Sequence, residues 1–207
     1  MPVPVEGDPD GMVAEDPWTL ATMAFAPCYV GGWSAAEHWG LTEQLFRTVV
    51  VFSVRPPRNR RPELVGTPFW ILSLRQERLF GTEAVWRGRV RILVSDPTRT
   101  ALDMLINPRI GGGLRPTVDV VRAYLESEQF DYSALEEYAG RLDNGAVYKR
   151  LGFLLEKFFP DRTALLTLCR RNRTTGLAQL DPANPGERIV RRWRIRVPPA
   201  WAPETQR

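Results

Sequence analysis

Catalysis by this chain would have to run through very few proton-transfer or metal-holding side chains. The sequence has one histidine, His38, two cysteines, Cys28 and Cys169, and two lysines, Lys149 and Lys157. Zinc sites draw on His and Cys in sets of about four. Cys28 and Cys169 stand far apart with no CxxC spacing, so no metal centre is expected and both thiols are read as buried and free. A restriction-type nuclease sets a carboxylate and a D/E-x-K pair on adjacent strands, where the acids hold Mg²⁺ and the lysine stabilises charge. Ala146-Val147-Tyr148-Lys149 and Leu155-Glu156-Lys157 complete no such pair, and both lie in a helical pattern. A nucleotidyltransferase needs a Gly-Ser turn followed by paired carboxylates. Gly31-Gly32-Trp33-Ser34 offers the turn, but only Glu37 and Glu43 follow it, while Asp8-Pro9-Asp10 lies upstream in a proline-rich segment. There is no GxxxxGK[ST], GxGxxG or GxSxG run, and Gly111-Gly112-Gly113 lacks the preceding strand of a phosphate loop, so it reads as a hinge. His38 and Ser34 share a helix face but lack an orienting acid. The expectation is a protein that acts by binding, with no catalytic residue, no metal ligand and no cofactor.

Binding capacity is more visible. The net charge is +4 and the basic side is almost wholly arginine, whose planar fork suits phosphate and carboxylate. Arg87, Arg89 and Arg91 alternate with Val90, Ile92 and Val94, and Arg192, Arg194 and Arg196 alternate with Trp193, Ile195 and Val197. Period-two spacing puts each arginine triplet on one face of a strand. If those strands are neighbours, the six arginines form a surface for anions or an acidic partner; the other reading is a solvated sheet face. The short Ser34–Gly40 segment and its neighbour lack the length of a helix-turn-helix.

These residues need a scaffold, and 207 residues suffice for one large domain or two small ones. No apolar run approaches the roughly 18 residues of a membrane span. Glu6, Asp8 and Asp10 stand where a leader would be basic, so a cytoplasmic location is expected. Residues 1–16 read as an irregular lead-in, 17–199 as one domain, and 200–207 as a tail. Asp16-Pro17 opens a helix that runs to about Ala24, and Ser34 with Glu37 suggests a capping box. Strands are expected over Thr48–Ser53, over Pro68–Leu74 in a hairpin with Arg78–Phe80, over Arg89–Val94 and over Ile189–Val197. Between them, 96–170 is a helical subregion. Asp96-Pro97 starts its first helix, a second begins near Pro116, Ser133 with Glu136 caps a third, Asn144 caps the fourth, and a shorter one covers Thr163 to Arg170. The fold class is therefore α+β, a mostly antiparallel sheet packed against a cluster of four to five helices.

Several segments, in order, resemble the AbiEi antitoxin family of type IV toxin–antitoxin systems: Tyr29 to Leu41; Val94-Ser95-Asp96-Pro97-Thr98-Arg99-Thr100-Ala101-Leu102-Asp103; Gly111 to Gly113; Tyr138 to Leu142; and Lys149-Arg150-Leu151-Gly152-Phe153-Leu154-Leu155-Glu156. The likeness covers roughly residues 17–197. It implies an antitoxin that counters a nucleotidyltransferase-type toxin without needing a stable complex, and that represses its own operon. Family members usually carry an N-terminal winged helix-turn-helix. Here Met1-Pro2-Val3-Pro4-Val5 looks like the far end of its wing, so operator DNA is a partner only if such a module is supplied. No membrane partner is expected. Asp96, Arg99, Thr100 and Asp103 are the domain's signature. Read locally, Asp96 caps a helix, and Arg99 and Asp103 are i,i+4 neighbours suited to an ion pair. A divergent restriction-nuclease-fold enzyme and a degenerate relic stand as alternatives.

Overall fold

The computed structural model describes residues 16–202. Most of the expected lead-in, including the wing-like Met1–Val5 segment, and the end of the expected tail lie outside them.

Asp16 opens α1 (Pro17–Phe25) by accepting a hydrogen bond from the Thr19 amide at 2.8 Å, with Pro17 in the first turn where its missing N–H costs nothing. A short strand β1 (Cys28–Val30) and helix α2 (Gly32–His38) follow. Then come β2 (Val49–Ser53), β3 (Glu63–Leu64), β4 (Thr67–Ser73), β5 (Thr82–Arg87) and β6 (Val90–Ser95). These six strands form one sheet in the order β3-β4-β2-β1-β6-β5. It is mixed rather than mostly antiparallel. β1/β2, β3/β4 and β5/β6 pair antiparallel, whereas β1/β6 and β2/β4 pair parallel. The expected hairpin of 68–74 with 78–80 does not form. Gln76–Arg78 is a turn of 3-10 helix, and β4 pairs instead with β2 and β3.

At its centre the sheet is covered on both sides, which explains the unbroken apolar run of β2, buried throughout. Val49 and Val51 join Val30, Phe69, Ile71, Ile92 and Val94 under α1, while Val50 and Phe52 turn with Tyr29 into a larger core shared with the helices. Those helices are α3 (Pro97–Ile106), α4 (Leu114–Glu126), α5 (Tyr132–Leu142), α6 (Gly145–Phe158) and α7 (Thr163–Asn172). Beyond them β7 (Ala178–Gln179), β8 (Arg188–Val190) and β9 (Ile195–Val197) make a small second sheet in the order β7-β9-β8 against α6. The molecule is a mixed α/β fold with several helices packed against a multi-stranded sheet. No helix among the described residues is long and apolar enough to cross a membrane.

Local signals decided most helix starts. Asp96 and Asn144 cap α3 and α6 as expected. Ser34 and Ser133 do not cap. Each sits inside its helix, α2 starts from Gly31, α5 starts from Asp131, and Ser34 Oγ instead accepts the Val50 amide at 3.1 Å. Gly111 to Gly113 is a packed corner rather than a hinge. A Cβ on Gly111 would lie 2.3 Å from both Met104 Cε and Thr117 Oγ1, and Gly112 and Gly113 take φ of 82° and 116°, which L side chains rarely adopt.

Candidate functional site

The six candidate arginines do not make two aligned stripes. Gly88, at φ 56°, folds the first run into a tight hairpin, so Arg87 ends β5, Arg89 occupies the turn and Arg91 lies in β6. Arg87 pairs across from Val90 and Arg91 from Trp86, which places the two arginines on opposite faces. The Arg87 guanidinium lies 5.4 Å from the Trp18 ring centroid, beside α1. The second run breaks in the same way. Residues 191–194 form a turn closed by Arg194 at φ 50°, so Arg192 and Arg194 leave the ladder and only Arg196 stays in β9, opposite Ile189. Arg192 forms an ion pair with Glu156, and Arg194 donates to the Thr174 carbonyl at 3.4 Å. Alternation continued through both turns in the sequence, but the backbone did not.

The Asp96–Asp103 run is drawn inward, to the junction of β6 and α3. Asp96 accepts the Arg99 amide at 2.7 Å through Oδ1 and the Tyr138 hydroxyl at 3.0 Å through Oδ2. Burial, then the nearby Asp96 charge, push the Tyr138 phenol up to about 12, so it remains a donor. Thr100 Oγ1 lies 2.7 Å from Ser95 Oγ and donates to the Ser95 carbonyl at 3.1 Å, tying the first turn of the helix to the last residue of the strand.

Arg99 and Asp103 form an ion pair of 2.9 Å, and it is interior: the side chains are 1% and 4% exposed. Every arm of the guanidinium has a partner. Nε donates to Asp103 Oδ1, Nη1 donates to the Arg78 and Phe80 carbonyls at 3.0 and 2.8 Å, and Nη2 donates to the Tyr29 hydroxyl at 2.9 Å. The Tyr29 hydroxyl in turn donates a hydrogen bond to Asp103 Oδ2 at 2.8 Å, closing a ring of three side chains. Phe80 lies against the guanidinium with its centroid at 4.5 Å. Burial, the largest influence, works against the Arg99 charge, but Asp103, Tyr29 and Asp96 together outweigh it and raise the arginine above its ordinary value. Burial, reinforced by the Asp103 charge, drives the Tyr29 phenol well above its ordinary value. A buried pair holds only when its remaining donors and acceptors are satisfied, and here one arginine secures the 76–81 connection, the central strand and α3 together. The part Tyr29 plays here was not expected from the sequence, because β1 is three residues long, too short to show a period.

The second resembling run is equally internal. The Lys149 ammonium donates to Thr174 Oγ1 at 2.8 Å and to the Gly176 carbonyl. Arg150 donates to the Leu105 and Ile106 carbonyls at 2.6 and 3.0 Å, filling acceptors that the end of α3 leaves open, and to the Gln179 carbonyl at 2.9 Å. Burial pushes Arg150 down to about 10, with Asp181 opposing it. Gly152 gives room to Trp193: a Cβ there would lie 2.1 Å from Trp193 Cζ3. The Trp193 indole N–H donates to Glu156 one turn on. Lys149, Arg150, Gly152 and Glu156 thus dock the small sheet and its loops onto α6.

No family model matches this chain, and no curated protein is significantly similar to it.

The remaining reactive types are dispersed. Cys28 and Cys169 are free and buried, and burial pushes their thiols up to about 11 and about 12. His38 lies at the surface between Trp18 and Trp39, with centroids at 5.3 and 4.6 Å, and does not bond Ser34, whose hydroxyl faces Val50. Among the described residues, no group of three or more His, Cys, Asp or Glu side chains gathers as a metal site.

Proposed function

We propose that this chain is the antitoxin and transcriptional-regulator C-terminal domain of a type IV toxin–antitoxin system. It opposes a nucleotidyltransferase-type toxin through the surfaces it presents, without chemistry of its own. One observation carries the reading: Asp96, Arg99, Thr100 and Asp103 spend their hydrogen-bonding capacity on one another, on Tyr29, Tyr138 and Ser95, and on interior carbonyls. The residues that carry the resemblance are therefore those that join sheet to helix, so the likeness extends to the parts that determine the architecture. Partnered, and buried except for the half-buried Asp96, they also fit a scaffold better than a centre of turnover, which needs groups free to exchange protons with a substrate. Operator DNA would be a partner only if a winged-helix module is supplied; this domain is not assigned that role.

The test is co-expression with the nucleotidyltransferase-type toxin encoded beside it. Growth should be restored, and restoration should survive replacement of Arg87, Arg89 and Arg91 by glutamine, since these no longer form one surface. Unrelieved toxicity would refute the antitoxin role. Mg²⁺-dependent cleavage of nucleic acid by the purified chain would replace it with a nuclease-fold enzyme.

A further inference from the structure

Three cations, none of them in an ion pair among the described residues, converge on one cleft of about 340 Å³ between α4 and the end of α6. Arg115, Asp119 and Arg122 fall at i, i+4 and i+7, so they form one stripe along α4. Lys157 and Phe158 come from the last turn of α6, and Trp201 from the 3-10 turn that follows β9. Asp119 is the single acid in the wall. Among the described residues it forms no ion pair with Arg115, Arg122 or Lys157, and none of the three cations has a carboxylate within 4.0 Å. The lining therefore carries an excess of two positive charges.

The arginine at its centre is poised but incompletely bonded. The Arg122 guanidinium lies 4.8 Å from the Phe158 centroid and the Lys157 ammonium 5.8 Å from it. Arg122 Nε is buried, and it is the one buried side-chain donor or acceptor among the described residues with no partner. Folded proteins leave very few such atoms unsatisfied. Other buried arginines here, Arg99 and Arg150, are tied to interior carbonyls. Arg122, half-buried, lines the basic cleft without any such bond among the described residues, and its remaining capacity suits an anion in the cleft.

The aromatic and apolar parts of the lining narrow the ligand. A bare phosphate would engage the cations and leave Phe158, Trp201 and Val118 without contact. A volume near the lower end of small-molecule pockets, about 300 Å³ upward, matches a ligand with one ring system and one anionic group. Arginine and lysine beside stacking aromatics are the pairing by which proteins hold a phosphate and a base together. We propose that the α4–α6 cleft binds a nucleoside phosphate, its phosphate held by Arg115, Arg122 and Lys157 and its base laid against Trp201. Free mononucleotides and the phosphorylated end of a nucleic-acid strand share this chemistry. The site lies apart from the Asp96–Asp103 junction and does not depend on the antitoxin reading.

The test is titration of the full chain at low salt, followed by calorimetry, with adenosine and cytidine 5′-monophosphates, the corresponding nucleosides, inorganic phosphate, and a short RNA with and without a 5′-phosphate. A mononucleotide should bind saturably and about tenfold or more tighter than its nucleoside or phosphate, equivalent to about 1.4 kcal/mol. The paired change Arg115→Gln with Lys157→Gln should weaken it at least tenfold. Both side chains are exposed, so the unfolding temperature serves as the check that the fold is kept. Trp201→Ala should weaken the nucleotide and leave the affinity for phosphate unchanged. Tighter binding of the 5′-phosphorylated RNA than of the mononucleotide assigns the site to strand ends, and equal binding assigns it to free nucleotides. No saturable binding by any probe, equal affinity for phosphate and nucleotide, or full affinity in the paired variant would overturn the proposal.

Discussion

Replacing Arg99 with methionine tests the interior junction most directly. Methionine keeps much of the aliphatic bulk but removes the charge, so the Asp103 carboxylate, 4% exposed, would retain only the Tyr29 hydroxyl. Breaking a buried ion pair by deleting one partner costs about 3–5 kcal/mol. The Arg78 and Phe80 carbonyls also lose their donor, and each buried orphan adds roughly 1–3 kcal/mol unless water reaches it. Counting only the Phe80 carbonyl as out of reach of water, a loss of about 4–8 kcal/mol is expected, a large share of the roughly 5–15 kcal/mol that holds a domain together. At roughly 2–4 °C per kcal/mol for a chain of this size, the unfolding temperature should fall by roughly 8–32 °C. Urea unfolding followed by tryptophan fluorescence would measure it. The triple variant Tyr29→Phe, Arg99→Met, Asp103→Leu should recover part of the loss, because it removes the stranded charge along with its partner. A single variant within about 1 kcal/mol of the parent, or a triple variant no better than the single, would refute the account of the junction.

Two further outcomes follow from the same geometry. Gly152→Ala should destabilise by about 1–3 kcal/mol, even though alanine favours a helix by about 1 kcal/mol over glycine, because the new methyl meets the Trp193 ring; a Gly152→Ala protein of unchanged or higher urea midpoint would contradict this. His38 is held below its ordinary pKa by partial burial and by the Arg87 charge. A group depressed in the folded state favours folding above its unfolded value, near 6.5, and that contribution is lost as pH falls below it. The parent should therefore lose more stability between pH 7.5 and 5.5 than His38→Gln does, and parallel urea midpoints across that range would argue against it.

What could be read in the sequence was local. Asp16, Asp96 and Asn144 cap their helices through a side chain and an amide two or three residues apart, a relation that spacing alone encodes. The box at Ser133 misled because Asp131, two residues before it, supplied the acceptor for a start two residues earlier. Strand pairing depended on distant residues. Nothing around β1 announces that Tyr29 is the middle of a central strand, or that β4 returns parallel to β2. The arginine runs failed for a different reason. Gly88 was a readable hairpin signal, since glycine at the first position of a two-residue loop supplies the needed positive φ. Arg194, a non-glycine residue at φ 50°, gave none. The ion pair of Arg99 and Asp103 was legible as a pair but not as an interior one, because i,i+4 spacing fixes proximity and says nothing of depth. The cleft residues Arg115, Asp119 and Arg122 fell on the polar stripe of α4, where sequence alone cannot separate a solvated face from a wall.

β2 belongs to both hydrophobic clusters at once, Val49 and Val51 to one and Val50 and Phe52 to the other. A strand with no outer side makes the layer under α1 and the helical layer hostages to each other. Withdrawing either would strip one flank of the same five residues and leave their alternate side chains facing water. Melting should therefore proceed as one event across the sheet, with the amides of β2 among the last to exchange with solvent.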